Sequence, residues 1–188
     1  MIAETVAVGD DVVLSLLRPD DPEALIDERS FAERDEFLPY WAELWPAGLA
    51  LARALPVDLR GRRVVELGCG LGVPSLVAGA RGAAVTAVDW AAEAVALLRE
   101  NAARNGLELT AVGDDWRTYD GDFELALAAD VLYEARNVDA ILGALERLAP
   151  EALVAEPGRP HAAEFFARAR ERWTVEDLPD RVYRLTRR

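Results

Sequence analysis

Apolar and polar positions divide the chain into two stretches of different regularity. Before Arg63 the pattern is broken. Asp11–Leu17 reads as a short strand, closed off by Arg18-Pro19-Asp20-Asp21-Pro22. Leu25–Phe37 mixes charges with a loose apolar stripe and predicts a short helix, and Pro46 fits the first position of a helix that continues over Ala47–Leu55. From Arg63 the pattern becomes regular. Strands are predicted at Val64–Leu67, Ala84–Val88, Leu109–Val112, Phe123–Ala128 and Ala152–Ala155, with helices at Pro74–Ala80, Ala91–Asn105, Val138–Leu148 and Pro160–Arg172. Strands that are apolar throughout and alternate with helices imply a parallel sheet covered on both faces. Thr174–Leu178 and Val182–Leu185 also read as strands, but only Pro179-Asp180-Arg181 lies between them. A link that short cannot hold a parallel crossover, so the last two strands must pair antiparallel. The fold class expected is therefore α/β: a doubly wound seven-stranded sheet, mostly parallel, with a terminal antiparallel strand and helices on both faces.

Length and composition narrow this further. A chain of 188 residues suits one domain, here 1–188, with 1–45 as an N-terminal lid or extension. No run of about twenty apolar residues is present, so no membrane partner is expected. The first residues lack the basic and apolar regions of a secretory leader, and the single cysteine, Cys69, has no partner for an internal disulfide. A cytoplasmic location follows as an expectation, with a monomer or weak dimer as the state. The net charge of −13 disfavours nucleic acid, which needs a basic patch, and favours a cationic ligand or a basic protein surface. Arg62–Arg63 and Arg184–Arg188 are local exceptions beside strands and read as solvated edges. Every basic residue is arginine, and with the abundant Ala and Gly this points to a GC-rich bacterial source.

The chemical signal is Val64-Val65-Glu66-Leu67-Gly68-Cys69-Gly70-Leu71-Gly72, followed by Asp89 at the end of the next strand. Gly68 and Gly70 permit a tight turn and close approach of backbone to ligand. Asp89 lies about twenty residues on, where a carboxylate can take two ribose hydroxyls. Two details separate this loop from a nicotinamide-dinucleotide fingerprint. Val73 stands where that pattern has its third glycine, and Glu66 precedes the loop, where a pyrophosphate would not want a carboxylate. A cofactor carrying a sulfonium and an ammonium would accept one. Cys69 reads as a small buried filler whose backbone does the work. His161, the only histidine, follows Pro160 at a helix start and reads as a surface or capping residue, and no metal site is expected.

Glu66–Gly72 with Asp89 resembles motif I and the following acid of class I S-adenosylmethionine-dependent methyltransferases, and the resemblance runs from about Pro39 to the end. Within that class the chain is similar to the methyltransferase-like lysine methyltransferases, in particular bacterial relatives of the electron-transfer-flavoprotein β-subunit enzyme. Pro39-Tyr40-Trp41-Ala42-Glu43-Leu44-Trp45-Pro46 resembles the family's Trp-rich segment, Asp114-Asp115-Trp116 the turn that holds adenine, and Ala129-Asp130-Val131-Leu132-Tyr133-Glu134 its Asp-x-x-Tyr motif. The resemblance implies a Rossmann-like sheet and S-adenosyl-L-methionine as cofactor. It places Trp45, Glu66, Gly68, Cys69, Gly70, Gly72, Asp89, Trp90, Asp114, Asp115, Trp116 and Ala129 around that cofactor.

On the same reading Asp89 binds the ribose, Trp90 covers a face of the adenine or ribose, and Asp114 accepts the adenine amino group. Trp116 is either a cofactor wall or core, and one of Asp114 and Asp115 is a solvated turn residue. Asp130 and Tyr133 are the catalytic candidates: Asp130 to hold an amine or its backbone partner, Tyr133 to line the channel. Tyr40, Trp41 and Trp45 could close the slot, with ordinary packing as the alternative for Trp41. Glu43 and Glu134 are acidic rim positions. The acceptor expected is a protein lysine; the alternative is a small-molecule amine.

Overall fold

The computed structural model describes residues 1–25 and 39–188. The helix expected over Leu25–Phe37 lies outside these residues but for its first. Two strands open the chain, β1 (Ile2–Val8) and β2 (Val12–Arg18), joined as an antiparallel hairpin. β2 was expected from the sequence; β1 was not, because Ile2–Glu4 are polar or exposed and only Val6 and Val8 bury. After a Tyr40–Ala42 turn of 3₁₀ helix come α1 (Pro46–Ala54), β3 (Arg63–Leu67), α2 (Val73–Ala80), β4 (Ala84–Asp89), α3 (Ala92–Arg104) and β5 (Thr110–Gly113). The remainder is β6 (Leu125–Ala129), α4 (Asn137–Leu148), β7 (Glu151–Ala155), α5 (Ala162–Ala169), β8 (Trp173–Leu178) and β9 (Val182–Arg187).

The seven-stranded sheet runs in the order β5-β4-β3-β6-β7-β9-β8. β5, β4, β3, β6 and β7 pair parallel; β9 lies antiparallel to both β7 and β8. The antiparallel strand is therefore inserted beside β7, and the last-but-one strand forms the edge. Strand β3 alternates into both cores: Val64 packs with α1–α3 and the hairpin, whereas Val65 and Leu67 pack with α4 and α5. Burial on both faces explains why the central strands carry no polar alternation.

Local chemistry sets the helix ends. Trp45 is extended and Pro46 begins α1, where its missing N–H costs nothing. α3 ends at Gly106, at φ 65°, where the amide of Leu107 donates to Ala102 and that of Gly106 to Ala103. These two bonds close a Schellman cap.

The N-terminal hairpin packs on the outside of α3, not over the ends of the strands. Asn101, fully buried on α3, accepts from the Leu17 amide (2.7 Å) and donates to the Leu17 carbonyl (2.9 Å). Asn105 does the same for Ser15 (2.8 and 2.9 Å). Two side-chain amides thus imitate a neighbouring strand and close the outer edge of β2. Arg81 adds a second tie: its buried guanidinium grips Asp11 at the hairpin turn (2.9 Å to each oxygen) and donates to the Leu55 carbonyl (2.8 Å) after α1.

Asn101→Ala strands both polar groups of Leu17 in a dry contact. The expected loss of stability is roughly 2–4 kcal/mol, read as a lower urea midpoint at unchanged m-value.

Candidate functional site

Because β3 to β7 run the same way, their carboxyl ends all open at one end of the sheet. Five loops meet there: Gly68–Gly72 after β3, Asp89-Trp90 after β4, Asp114–Trp116 after β5, Asp130–Tyr133 after β6 and Glu156–Arg159 after β7. With the segment 40–45, the first four of these loops line a crevice of about 330 Å³, and the loop after β7 stands behind them through the Arg159–Asp130 pair.

Gly68, Gly70 and Gly72 all have positive φ, at 64°, 51° and 69°. A Cβ on Gly68 would point between Val131 and Trp116, 3.5 and 3.8 Å away, and narrow the crevice floor. One on Gly70 would press on the Trp41 carbonyl at 3.2 Å, so this glycine lets the 40–45 segment close on the loop.

The loop amides are directed inward. Those of Gly68 and Cys69 donate to the Val88 carbonyl (2.9 and 3.2 Å), that of Gly70 to the Asp89 carboxylate (2.8 Å) and that of Gly72 to the Cys69 carbonyl (2.7 Å). The start of α2 is occupied as well. Pro74 has no N–H, and the Ser75 amide (2.9 Å) and hydroxyl both donate to Glu66, a residue 1% exposed. A pyrophosphate site needs these same amides free and aimed at the ligand. Here a protein carboxylate takes that place.

Burial pushes the Glu66 carboxyl up to about 8, against the pull of its bonds from Ser75. Burial also raises Asp89, although the amides of Ala91 (3.0 Å) and Gly70 hold its charged form. The Cys69 thiol is raised well above its ordinary value by burial and by the nearby Asp89 and Glu66 charges, so it stays an unreactive thiol, as a filler should. With Glu66 carrying its proton near neutral pH, the site sets internally bonded acids beside apolar Trp116 and Val131, an environment that tolerates a donor with a sulfonium and an ammonium. It does not suit a dianion. S-adenosylmethionine fits this set of residues, and Asp89 and Glu66 would be the acids beneath its polar groups.

The structure brings most expected positions to the crevice: Trp45, Glu66, Gly68, Cys69, Gly70, Gly72, Asp89, Trp90, Asp115, Trp116, Ala129, Asp130 and Tyr133 all line it. Asp114 does not. It is exposed, and its carboxylate accepts the Asp115 amide (2.7 Å), which makes it the turn residue of the pair. Trp116 is both wall and core, 7% exposed and packed with Leu67 and Val131. Trp41 both lines the crevice and packs against the core. His161 caps the start of α5 through its backbone position. Among the described residues no group of three or more metal-binding side chains exists.

At the mouth, Tyr40 lies 5.6 Å from Tyr133 and 6.3 Å from Trp45, ring centre to ring centre. The Trp45 indole donates to the Tyr40 carbonyl (2.7 Å). Burial raises the Tyr133 hydroxyl, and a hydrogen bond with Asn137 opposes the shift. Asp130, expected as a carboxylate facing an amine, is engaged instead: Arg159 donates to both of its oxygens at 2.7 Å, and its backbone sits at φ 55°.

Arg159, Asn137, Ser75 and Arg117 were not found from the sequence. The rule that ligands gather at strand ends would have pointed to Glu156–Arg159 after β7. The pairings of Asn137 and Ser75 carried no sequence signal.

The Glu66 proton is held more tightly in the folded chain than in the unfolded one, where the value is near 4.5. Its stabilisation is complete below that value and is lost as pH rises through about 8. Glu66→Gln keeps an acceptor for Ser75 without a charge. At pH 9 the ligand-free variant should exceed the native protein in stability by on the order of 4 kcal/mol, and at pH 4 the two should nearly coincide; denaturant midpoints against pH check this.

Comparisons with known proteins agree with this geometry. Residues 41–128 match the family described as Methyltransferase small domain. The electron transfer flavoprotein beta subunit lysine methyltransferase of Danio rerio is 32% identical over 169 residues, covering 82% of this chain and 66% of that protein. EEF1A lysine methyltransferase 3 of Mus musculus is 30% identical over 141 residues, covering 68% of this chain and 60% of that protein. The chain thus spans between about half and two thirds of the length of the first curated relatives it matches. Among solved structures, the T. thermophilus 16S rRNA methyltransferase RsmC in complex with AdoMet and guanosine superposes with a TM-score of 0.71 at 18% identity, over all of this chain and 50% of that one. Magnesium protoporphyrin IX methyltransferase from Synechocystis with bound SAM gives 0.58 at 19% identity, over 70% and 72%. A sheet ending in an inserted antiparallel strand, an inward-turned glycine loop with its buried acids, and these relatives lead to one assignment: the chain belongs to the class I S-adenosylmethionine-dependent methyltransferases.

Proposed function

We propose that this domain transfers the methyl group of S-adenosylmethionine to the side-chain amine of a lysine on a protein surface. One observation carries the reading: the crevice mouth has aromatic walls and, among the described residues, each arginine beside it is paired with an acid. Tyr40, Trp45 and Tyr133 line it, while Arg117 pairs with Asp115, Arg136 with Glu134 and Arg159 with Asp130. Glu43 on the rim, with Asp89 and Glu66 beneath, leaves the region acidic. Such a mouth suits an aliphatic cation and repels a phosphate backbone. Membership of the lysine methyltransferase branch adds to this, since the relatives from zebrafish and mouse are named for that activity.

The cofactor supplies an activated methyl group. The acceptor's lone pair forms the N–C bond as the C–S bond breaks, and the bonding pair leaves with sulfur. Asp89 holds the sugar, Asp115 and the backbone beside it meet the adenine edge, and Trp90 and Trp116 supply apolar surface. Residues 40–45 are the part of the N-terminal extension that closes on the acceptor. A lysine must first lose a proton, at a cost of roughly 4 kcal/mol at pH 7.5. Aromatic walls lower that cost by disfavouring the charged amine. Aligning the amine at about 3–3.5 Å from the methyl carbon supplies much of the acceleration.

Incubation with radiolabelled cofactor and a cell lysate should put label into protein, in hydrolysates as methyl-lysine. Label confined to small solutes identifies a small-molecule amine as acceptor, and label in RNA overturns the reading. Single-turnover rates should rise about tenfold per pH unit below the acceptor's pKa. Asp89→Ala should weaken S-adenosylhomocysteine binding by roughly 2–3 kcal/mol by calorimetry. Tyr133→Ala should lower turnover far more than it lowers that affinity.

A further inference from the structure

We infer that Arg159 is a positioning residue for the acceptor, tying the loop after β6 to the Trp45 wall so that the slot between the aromatic rings keeps its width. The inference rests on methyl transfer occurring in this crevice, and it concerns a residue that touches neither cofactor nor methyl group.

Three features place the guanidinium. First, the turn that carries it is rigidly built. Glu156 is 3% exposed and its carboxylate accepts from the amides of both Gly158 and Arg159, at distances from 2.7 to 3.2 Å. Its own amide donates to the Arg181 carbonyl (3.0 Å), which anchors the turn to the β8–β9 connection. Second, the fork of Arg159 meets Asp130 with two parallel bonds of 2.7 Å, the strongest arrangement open to this pair. The Asp130 side chain is 7% exposed and that of Arg159 36%. Separating them would leave a nearly buried carboxylate unpaired, so the pair is a fixture of the wall and not a latch that a substrate opens. Third, the same guanidinium stands 6.0 Å from the centre of the Trp45 ring. Trp45 is in turn bonded to Tyr40, which faces Tyr133.

A chain of contacts therefore runs Glu156, Arg159, Asp130 and Trp45, then Tyr40 and Tyr133. It joins the loop after β7, the loop after β6 and the 40–45 segment at the mouth. Asp130 acts here as an anchor for Arg159. The acceptor amine meets aromatic faces instead of a free carboxylate, which suits a neutral amine poised to attack.

The test needs no natural substrate. Protein saturated with S-adenosylhomocysteine is titrated with n-butyltrimethylammonium, a mimic of a methylated lysine side chain, while the Trp45 indole N–H resonance is followed, assigned through Trp45→Phe. Native protein should show a saturable shift. Arg159→Gln and Arg159→Ala should bind the probe at least about tenfold more weakly while S-adenosylhomocysteine affinity changes by less than about threefold. Arg159→Lys should not restore binding, because an ammonium lacks the planar fork; millimolar ethylguanidinium added to Arg159→Ala should. Native-like probe affinity in both the Gln and Ala variants overturns the proposal. So does a loss matched by equal losses of cofactor affinity and thermal midpoint, which marks a merely structural residue, or a native protein that binds S-adenosylhomocysteine but not the probe. A native protein that fails to bind S-adenosylhomocysteine instead removes the methyltransferase reading beneath it.

Discussion

The backbone amides after β3 are already bonded within the protein, and the character of the site follows from that. Val88, Asp89 and Glu66 take up hydrogen-bond donors that a dinucleotide-binding loop presents to pyrophosphate. With those donors occupied and two acids buried at the same place, one of them carrying its proton near neutral pH, this loop does not present the amides that hold a pyrophosphate. The same bonds set the geometry: Asp89 joins the end of β4 to the turn after β3, and Glu66 joins β3 to the first turn of α2. Cofactor preference and loop shape are thus one feature. The cost is two desolvated acids, whose raised proton affinities make the ligand-free protein sensitive to alkaline pH.

Around this centre the protein neutralises its own arginines. Every arginine at the mouth among the described residues faces an acid one or two positions away or across a loop. In a chain of net charge −13, with the described arginines at the mouth paired, the opening is acidic and aromatic.

The N-terminal hairpin shows how the fold handles an added edge. β2 would expose unpaired amides and carbonyls beside α3, and two asparagines one helical turn apart satisfy them. The hairpin thereby becomes part of the body, and of the N-terminal extension it is the short aromatic segment 40–45 that lines the crevice and bears directly on Gly70.

The sequence by itself determined the elements and the cofactor loop. Unbroken apolar runs such as Val64–Leu67 and Leu125–Ala128 require burial on both faces, a three-residue link requires antiparallel pairing, and a glycine turn with acids at both ends has few uses. These are properties of neighbours along the chain, where spacing alone carries the physics. β1 escaped because only Val6 and Val8 of its apolar positions bury, and its pairing with β2 is what places them. Tertiary structure alone decided where each carboxylate points and what it pairs with. Asp114 and Asp115 are adjacent and alike in sequence, yet only the latter faces the crevice; Asp130 stands where a catalytic acid is expected, yet Arg159, twenty-nine residues away, occupies it. Whether a charge is available depends on what the fold brings within about 3 Å of it, and hydrogen-bond partners so distant along the chain leave no periodic trace in the sequence.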